Sequence, residues 1–439
     1  MVESASRWAG VSGALGRRNY RLFFAGQLVS LVGTWTQSVA QSWLVYRLTG
    51  SALWLGMATF CHAAPTFFLA TFGGLVADRH RRRTILLVTQ SSAMMLAFAL
   101  AAMLGVINAV DSPTRQSFVI ELVGRESLAS AVALNSSMVT AAAVVGPAIA
   151  GVAVHAFGEG WCFLLNGVSF LAVLAGLLAM RDLPEPTAGR PREPMISRLV
   201  EGFRFVATEP RVRALLALLA LVALLSIPSA TLMPVFASTI LHGDAQTLGL
   251  LMGAQGVGAM LAGLAFASRR GSPGAYRWIA GACALNGVTL VLFAFSRSLW
   301  ISIPLMLPLG AGTLIHVTAT NSRIQTLTID ALRGRVMAIW LMILMGFAPV
   351  GSVAAGWLAT AVDVRLPMIV GGVVCTLGAG VFMRWATTAV DATSTGASAT
   401  STGVATTSTG VATTSTGVSA TSTGVATTST GVATTSTGV

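Results

Sequence analysis

Eleven long apolar segments, separated by short breaks rich in glycine, proline or arginine, dominate this sequence. A helix needs roughly 20 apolar residues to cross the hydrocarbon core of a bilayer. Only 10% of the residues are charged, whereas a soluble domain carries about 25%. The candidate spans are residues 20–46, 51–75, 84–110, 128–156, 160–180, 214–240, 247–268, 277–296, 299–321, 336–360 and 366–385. They predict an all-α, polytopic membrane protein. The sequence has no Ser/His/Asp spacing, no H-E-x-x-H motif and no metal-ligand cluster, so we predict that it is not an enzyme.

One long polar connection, residues 181–213, divides these spans into two groups and carries seven arginines. We therefore predict an N-terminal bundle at 1–180, a cytoplasmic linker at 181–213 and a C-terminal bundle at 214–388. The tail at 389–439 repeats STGVATT every seven residues. We predict that this tail is disordered, because Thr, Ser and Gly bury too little surface to order a chain.

The net charge of +12 comes from arginines that cluster between the apolar spans. Arginine-rich loops are typical of the cytoplasmic side of a membrane protein, where they face anionic lipid. The distribution therefore predicts the lipid bilayer, and not nucleic acid, as the partner of these charges. If the chain crossed twice in the region of residues 84–110, as the second half does at the equivalent place, only Arg47, Arg297 and Arg365 would lie outside, with the N-terminus in the cytoplasm.

Two internal matches indicate that the halves are repeats. Leu48–Gly56 matches Leu241–Gly249 at five of nine positions, with an offset of 193 residues. Ser112–Gln116 resembles Asn321–Gln325, with an offset of 209. Duplicated halves are common in transporters, whose substrate site forms at the interface between the repeats.

The change in offset predicts that the first half lacks a helix. Where the second half has two spans, the first has only residues 84–110, about 27 residues that cannot hold two crossings. Two explanations remain open: the segment is a re-entrant or strained helix, or it marks a deletion that impairs the protein. A single crossing there would invert the second half and place the arginine-rich linker outside.

The loop after the second span supplies a specific resemblance. Gly74, Asp78, Arg79, Arg82 and Arg83 stand as in the signature loop of the major facilitator superfamily, which this sequence resembles over about residues 15–385. Acids beside guanidiniums can form a charge network that holds one conformation, although the run also fits a simple topology anchor. The resemblance adds Asp111 and Arg115 to this network.

Gly146, Pro147 and Gly151 lie within one span and resemble the Gly-Pro motif of the exporters in that superfamily. Proline removes a backbone hydrogen bond and bends a helix, and small neighbours allow close packing. The motif therefore predicts a pivoting helix. The alternative is ordinary packing, since both residues are common in membrane helices.

Polar residues inside the spans are the candidates for a substrate cavity, because polar groups that face lipid are costly. Some of them form a stripe on the first span, which fits either a cavity or a helix contact. The candidates are Gln27, Thr34, Gln37, Gln41, His62, Asn135 and His316. Either His62 or His316 could titrate near neutral pH.

Within the superfamily, the motifs of this sequence most resemble those of the bacterial drug- and siderophore-exporter branch, which includes enterobactin exporters. The resemblance implies a monomer in the bacterial cytoplasmic membrane that exports amphipathic small molecules by alternating access. It implies a proton as the coupling ion, and neither a cofactor nor a metal. The alternatives are a transport-impaired chain and a membrane component energised by a partner.

Overall fold

The computed structural model describes residues 16–64, 118, 122, 128–180, 195–267 and 274–386. Most of these residues form helices, which we number in chain order. They are α1 (Arg18–Thr49), α2 (Ala52–Ala64), α3 (Leu128–Phe157), α4 (Glu159–Leu178), α5 (Met195–Thr208), α6 (Pro210–Leu225), α7 (Ser229–Thr239), α8 (Ala245–Ala267), α9 (Ala275–Phe295), α10 (Leu299–Leu327), α11 (Asp330–Ala361) and α12 (Arg365–Ala386).

Eight stretches of the described chain are long and apolar enough to cross a membrane, and they confirm the polytopic prediction. They lie in α3, α4, the α6–α7 pair and each helix from α8 to α12. Helix α1 has 32 residues and is therefore about 48 Å long at 1.5 Å per residue. It is not among the eight because its polar residues lower its mean hydropathy. Only residues 51–64 of the second predicted span are described, and α2 occupies all of them but the first.

The predicted span at 214–240 begins earlier and is broken in the structure. Helix α6 already begins at Pro210, and a turn at residues 226–228 separates it from α7. Pro228 has no N–H and cannot continue the hydrogen-bond ladder. The N–H groups of Ser226 and Ile227 both bond to the carbonyl of Val222, at 2.9 and 3.0 Å. The break therefore lies at Pro228, whereas the second proline of this apolar run, Pro234, lies inside α7.

In the N-terminal half, α1 lies between α3 and α4. It runs parallel to α3, because Tyr20 donates to the carbonyl of Ala131 at 3.2 Å and Thr36 donates to that of Gly146 at 3.1 Å. It runs antiparallel to α4, because a Cβ atom on Gly26 would lie 3.0 Å from the carbonyl oxygen of Ala172, whereas further along α1 Gln37 accepts from Asn166 at 2.6 Å.

In the C-terminal half, α10 lies between α8 and α9 and packs closely on both. Asn286 of α9 connects this half internally. Its amide donates to Thr313 of α10 at 2.6 Å, and its carbonyl oxygen accepts from Ser226 at the end of α6. Helix α11 packs on α6 and on the linker helix α5.

The helices alternate between two ends of the molecule. We call the end with α5 the linker end and the opposite end the distal end. A buried apolar cluster at the distal end includes Val39 and Ala150 from the first half and Phe236 and Phe293 from the second. The described arginines are distributed unequally. The distal end carries Arg47, Arg297 and Arg365, and the linker end carries Arg17, Arg18, Arg21, Arg204, Arg211, Arg213, Arg277, Arg323, Arg333, Arg335 and Arg384.

The two halves share one orientation. Helix α2 ends at Ala64, which lines the same cavity as Phe203 of the linker helix, and α3 begins near Tyr20, at the start of α1. Both ends therefore lie at the linker end, and the described helices do not show the inversion that a single crossing would cause. Residues 84–110, on which that prediction depended, lie outside the described residues.

The chain divides into two compact units, Met1–Arg384 and Trp385–Val439. The described helices belong to the first unit, apart from the last two residues of α12. The predicted tail at 389–439 lies outside the described residues, so its predicted disorder stays a prediction.

Candidate functional site

The first contact between the halves joins the distal part of α3 to the start of α8. A Cβ atom on Gly249 would lie 2.6 Å from the carbonyl oxygen of Pro147 and 2.8 Å from Cα of Gly151. Packed carbon atoms are normally 3.5–4.0 Å apart, so a side chain at 249 would push the helices apart. Across the same contact, a Cβ on Gly151 would lie 3.2 Å from the carbonyl oxygen of Ala245. We call this contact the α3–α8 junction.

The predicted Gly-Pro motif lies within this junction. Pro147 has no N–H, so the carbonyl of Ala143, four residues earlier, has no helical donor. A Cβ on Gly256 of α8 would lie 2.8 Å from that carbonyl oxygen. Glycine at position 256 therefore lets α8 pack against the Ala143 carbonyl, which lacks its helical hydrogen bond because of Pro147. A pivoting role for the motif stays a prediction.

The second contact between the halves joins the start of α2 to the distal part of α11. A Cβ on Gly56 would collide with the carbonyl oxygen of Ser352. A Cβ on Gly356 would lie 2.5 Å from the carbonyl oxygen of Ala52. We call this contact the α2–α11 junction. Backbone therefore packs against backbone here, as it does in the α3–α8 junction.

The two junctions are related by the internal repeat. Gly249 and Gly56 differ by 249 − 56 = 193 residues, the offset of the first repeated motif. Their glycine partners, Gly151 and Gly356, differ by 356 − 151 = 205 residues. Gly151 faces the carbonyl of Ala245 and Gly356 faces the carbonyl of Ala52, and these two carbonyls are again 245 − 52 = 193 residues apart. The two junctions therefore use corresponding contacts, and both lie at the distal end of the interface.

Each junction also has one polar contact at its distal edge. At the α3–α8 junction, Nδ1 of His155 lies 2.7 Å from Oδ2 of Asp244. At the α2–α11 junction, the backbone N–H of Leu53 donates to the Thr360 hydroxyl at 3.1 Å. His155 and Thr360 are again 360 − 155 = 205 residues apart. Equivalent positions therefore hold a titratable pair in one junction and an uncharged bond in the other.

The Asp244 carboxylate caps α8 as well as pairing with His155. Its Oδ1 accepts from the N–H groups of Gln246 and Thr247 at 3.0 and 3.1 Å. Burial alone would raise the pKa of Asp244, but the Thr247 N–H and the His155 ring outweigh it and leave the pKa below its usual value. The carboxylate is therefore ionised at neutral pH and can only accept, so His155 Nδ1 carries the hydrogen.

An apolar cavity of about 720 Å³ lies on the linker side of the α2–α11 junction. Residues of both halves and of the linker helix line it. This volume falls within the usual range for small-molecule sites. The lining residues are Phe60, Ala64, Phe203, Leu224, Ile339, Met342, Ile343, Met345, Gly346, Phe347, Pro349 and Val350.

The structure places the polar stripe of α1 mostly against other helices. Gln27 is fully buried, and neither of its amide atoms has a hydrogen-bond partner among the described residues. Gln37 is buried and accepts from Asn166 of α4. Thr34 is exposed and donates to the Ser30 carbonyl of its own helix at 2.9 Å. The helix-contact alternative therefore describes Gln37, and no member of the stripe lines the apolar cavity.

The remaining cavity candidates are dispersed. Gln41, His62 and Asn135 are partly buried, on α1, α2 and α3. His316 is fully buried on α10, with Nδ1 3.4 Å from the carbonyl oxygen of Ile279. The predicted charge network lies outside the described residues. It comprises Gly74, Asp78, Arg79, Arg82, Arg83, Asp111 and Arg115.

The sequence did not predict the apolar cavity, because the residues that line it cannot be distinguished from other apolar residues of the membrane helices. A usable signal was present in Met342–Pro349, where methionine, glycine, phenylalanine and proline follow one another. Methionine is flexible and polarizable and recurs at surfaces that accept varied ligands. The polar stripe was the more obvious pattern, but it serves packing between α1 and α4 at Gln37.

Two helical bundles that meet along repeat-related junctions in a membrane define a secondary transporter. The chain belongs to the transmembrane secretion effector family of the major facilitator superfamily, which it matches over residues 8–413.

Curated relatives are similar to this chain over most of its length. The staphyloferrin A transporter of Staphylococcus aureus is 24% identical over 356 residues, 76% of this chain and 87% of that protein. The enterobactin exporter of Escherichia coli is 23% identical over 340 residues, 73% of this chain and 80% of that protein. These similarities agree with a siderophore-exporter-like member of the superfamily.

Solved structures show the same fold at low identity. A bacterial homologue of the human lysosomal transporter Spinster, inward-facing and unoccupied, aligns with a TM-score of 0.67 and 15% identity, covering 83% of this chain and 96% of that one. An inward-facing bacterial homologue of the iron transporter ferroportin aligns with a TM-score of 0.63 and 17% identity, covering 84% and 99%.

Proposed function

We propose that this protein exports amphipathic small molecules, of the siderophore or drug type, across the bacterial cytoplasmic membrane. The observation that carries the proposal is the relation between the junctions and the cavity. Both junctions close the distal end of the interface, and the apolar cavity lies on the linker side of one of them. A ligand bound there would leave the cell when the distal contacts separate and the linker end closes.

The arginines support this orientation. Few described arginines lie at the distal end and many at the linker end, and basic loops stay in the cytoplasm. The linker end and the N-terminus then face the cytoplasm, and the cavity receives its ligand from inside or from the inner leaflet. The names of the staphyloferrin and enterobactin relatives support the siderophore type of ligand.

The lining of the cavity supports an amphipathic ligand. Aromatic, methionine and branched side chains line it, and none of its lining residues is charged. Apolar walls bind the apolar body of such a ligand, and none of these lining residues has a polar side chain that would bind its polar part. We propose the proton gradient as the driving force and a monomer as the working unit, as the resemblance implies.

Efflux of a fluorescent amphipathic dye tests the proposal in cells that lack their own major pumps. Expression of the chain should lower dye accumulation, and a protonophore should restore it. Met342→Trp, which fills the cavity, should reduce efflux severalfold. Leu341→Trp is the matched control, because Leu341 is exposed on the same helix and does not line the cavity. Dye retention equal to that of the empty vector, with the protein present in the membrane, would refute export and favour the transport-impaired alternative.

A further inference from the structure

We infer that His155 and Asp244 are a positioning pair that holds the distal end closed more strongly when the His155 ring is protonated. This inference rests on the proposed function, because a closed distal end matters only if the two halves move apart during transport. It adds a second role for external protons, separate from their role as the driving ion.

The geometry makes this pair a connection between the halves. His155 lies in the last turn of α3, and Asp244 lies directly before α8. Separation of α3 from α8 would break the 2.7 Å contact between Nδ1 and Oδ2. The cap that Asp244 Oδ1 provides to α8 would remain, because Gln246 and Thr247 move with it. The contact therefore contributes to the closed arrangement and not to the fold of either half.

The two side chains of the pair belong to different classes of titratable group. Histidine side chains titrate between about pH 5 and 8, whereas the lowered pKa of Asp244 keeps that carboxylate ionised there. The carboxylate accepts the Nδ1–H bond whether or not the ring is charged, and a protonated ring adds the attraction of an exposed ion pair, about 0.2–1 kcal/mol. Closure is therefore favoured on the acid side of this range and weakened as the pH rises and the ring loses its charge.

Helices α1 and α4 also place ionisable groups near this edge. Helix α1 presents Tyr46 and Arg47, and α4 presents Glu159 and Cys162. Arg47 and Glu159 already form an ion pair at 3.1 Å. Among the described residues at this edge, the other imidazole is His242.

His242 therefore supplies a matched control. It is exposed and has a left-handed φ of 50°, a conformation that asparagine tolerates. His242→Asn removes an imidazole from the same loop without straining the backbone. It should leave the pH response of the distal end unchanged.

The experiment measures opening of the distal end by the distance between two spin labels. Trp161→Cys at the start of α4 and Trp300→Cys near the start of α10 place exposed labels on opposite halves. The four native cysteines are replaced by alanine. Between pH 5.5 and 8.5, the ratio of open to closed molecules should rise by about twofold to fivefold, the range for exposed ion pairs.

Two variants of His155 bracket this response. His155→Arg keeps a permanent positive charge and should hold the acid ratio at both pH values. His155→Gln has no charge and should hold the alkaline ratio at both. Asp244→Asn retains a good cap for α8 and should also abolish the pH response. These outcomes require a charged pair, since a merely structural side chain would not separate the Arg and Gln variants.

A wild-type pH response in His155→Gln, or its loss in His242→Asn, would overturn the inference. The dye assay is a separate measurement with its own outcome. A chain that opens with pH in this way but does not export dye would refute the proposed function and support the positioning pair.

Discussion

The α3–α8 and α2–α11 junctions use the same backbone contacts but differ in the side chains at their edges. In both, a glycine near the start of one helix meets the backbone of a helix from the other half, at Gly249 and at Gly56. At the distal edge, the first has His155 with Asp244, and the second has Thr360 with the N–H of Leu53. One junction can therefore respond to pH, and the other cannot do so through its polar contact.

The difference follows from how much room each position has. A Cβ at either glycine would overlap carbonyl oxygen of the opposite helix, so both copies of the repeat must keep glycine there. The His155 and Asp244 side chains are 61% and 48% exposed, so nothing in the packing restricts their chemistry. The two halves therefore share the glycines that close packing of the helices requires. They differ at the solvent-exposed positions on the edges of the junctions.

Substitution of the junction glycines should have the largest effect. We expect Gly249→Val and Gly56→Val each to lower dye efflux more than tenfold, because the added side chain would force the distal ends apart. The two losses should be similar, since both glycines pack against backbone. The measurement is initial efflux rate per amount of protein in the membrane.

Gly281 provides the control for these substitutions. It lies within α9, and a Cβ there would meet nothing within 4 Å. Gly281→Val therefore tests the intrinsic effect of valine in a membrane helix without a collision. Equal losses in the Gly281 and Gly249 variants would contradict a specific role for the junctions, and a large loss in only one junction would break their equivalence.

Much of this arrangement could be predicted from the sequence. The match between Leu48–Gly56 and Leu241–Gly249 identified the segments that begin α2 and α8, because close backbone approach restricts those positions to few residue types. Apolar length located the membrane helices. The turn before Pro228 was not predicted, because one proline can either kink a helix or end it.

The site was harder to predict than the fold. Polar residues on α1 indicated a cavity, but Gln37 is used within its own bundle, where it pairs with Asn166. Amphipathic pattern gives the face of a helix and not the partner that the face meets. The His155–Asp244 pair joins residues 89 apart, and nothing local to either residue indicates the other.

The ion pair beside the α3–α8 junction should have an intermediate effect. Arg47 of α1 pairs with Glu159 of α4, whose carboxylate is only 8% exposed while the Arg47 side chain is 58% exposed. Arg47→Gln leaves that carboxylate without its cation and should destabilise the protein by about 1–3 kcal/mol, less than for a fully buried pair. Thermal unfolding in detergent measures the loss.

The double variant separates the charge from the packing. Adding Glu159→Gln removes the unpaired carboxylate and should recover most of the stability lost in Arg47→Gln. Such recovery would show that the Arg47–Glu159 ion pair stabilises the first half and is independent of the contact between the halves. A double variant less stable than Arg47→Gln would contradict an electrostatic origin.

The smallest effect is expected at the edge of the α2–α11 junction. Thr360→Val removes the hydroxyl that accepts from the N–H of Leu53, an N–H in the first turn of α2 that water can satisfy instead. The cost should be about 0.5–1 kcal/mol, as for one neutral hydrogen bond. In the spin-label measurement it should raise the ratio of open to closed molecules by the same factor at pH 5.5 and at pH 8.5. A Thr360→Val variant that abolished the pH response would show that the two junctions open as one unit, and that His155 alone does not determine how the distal end responds to acid.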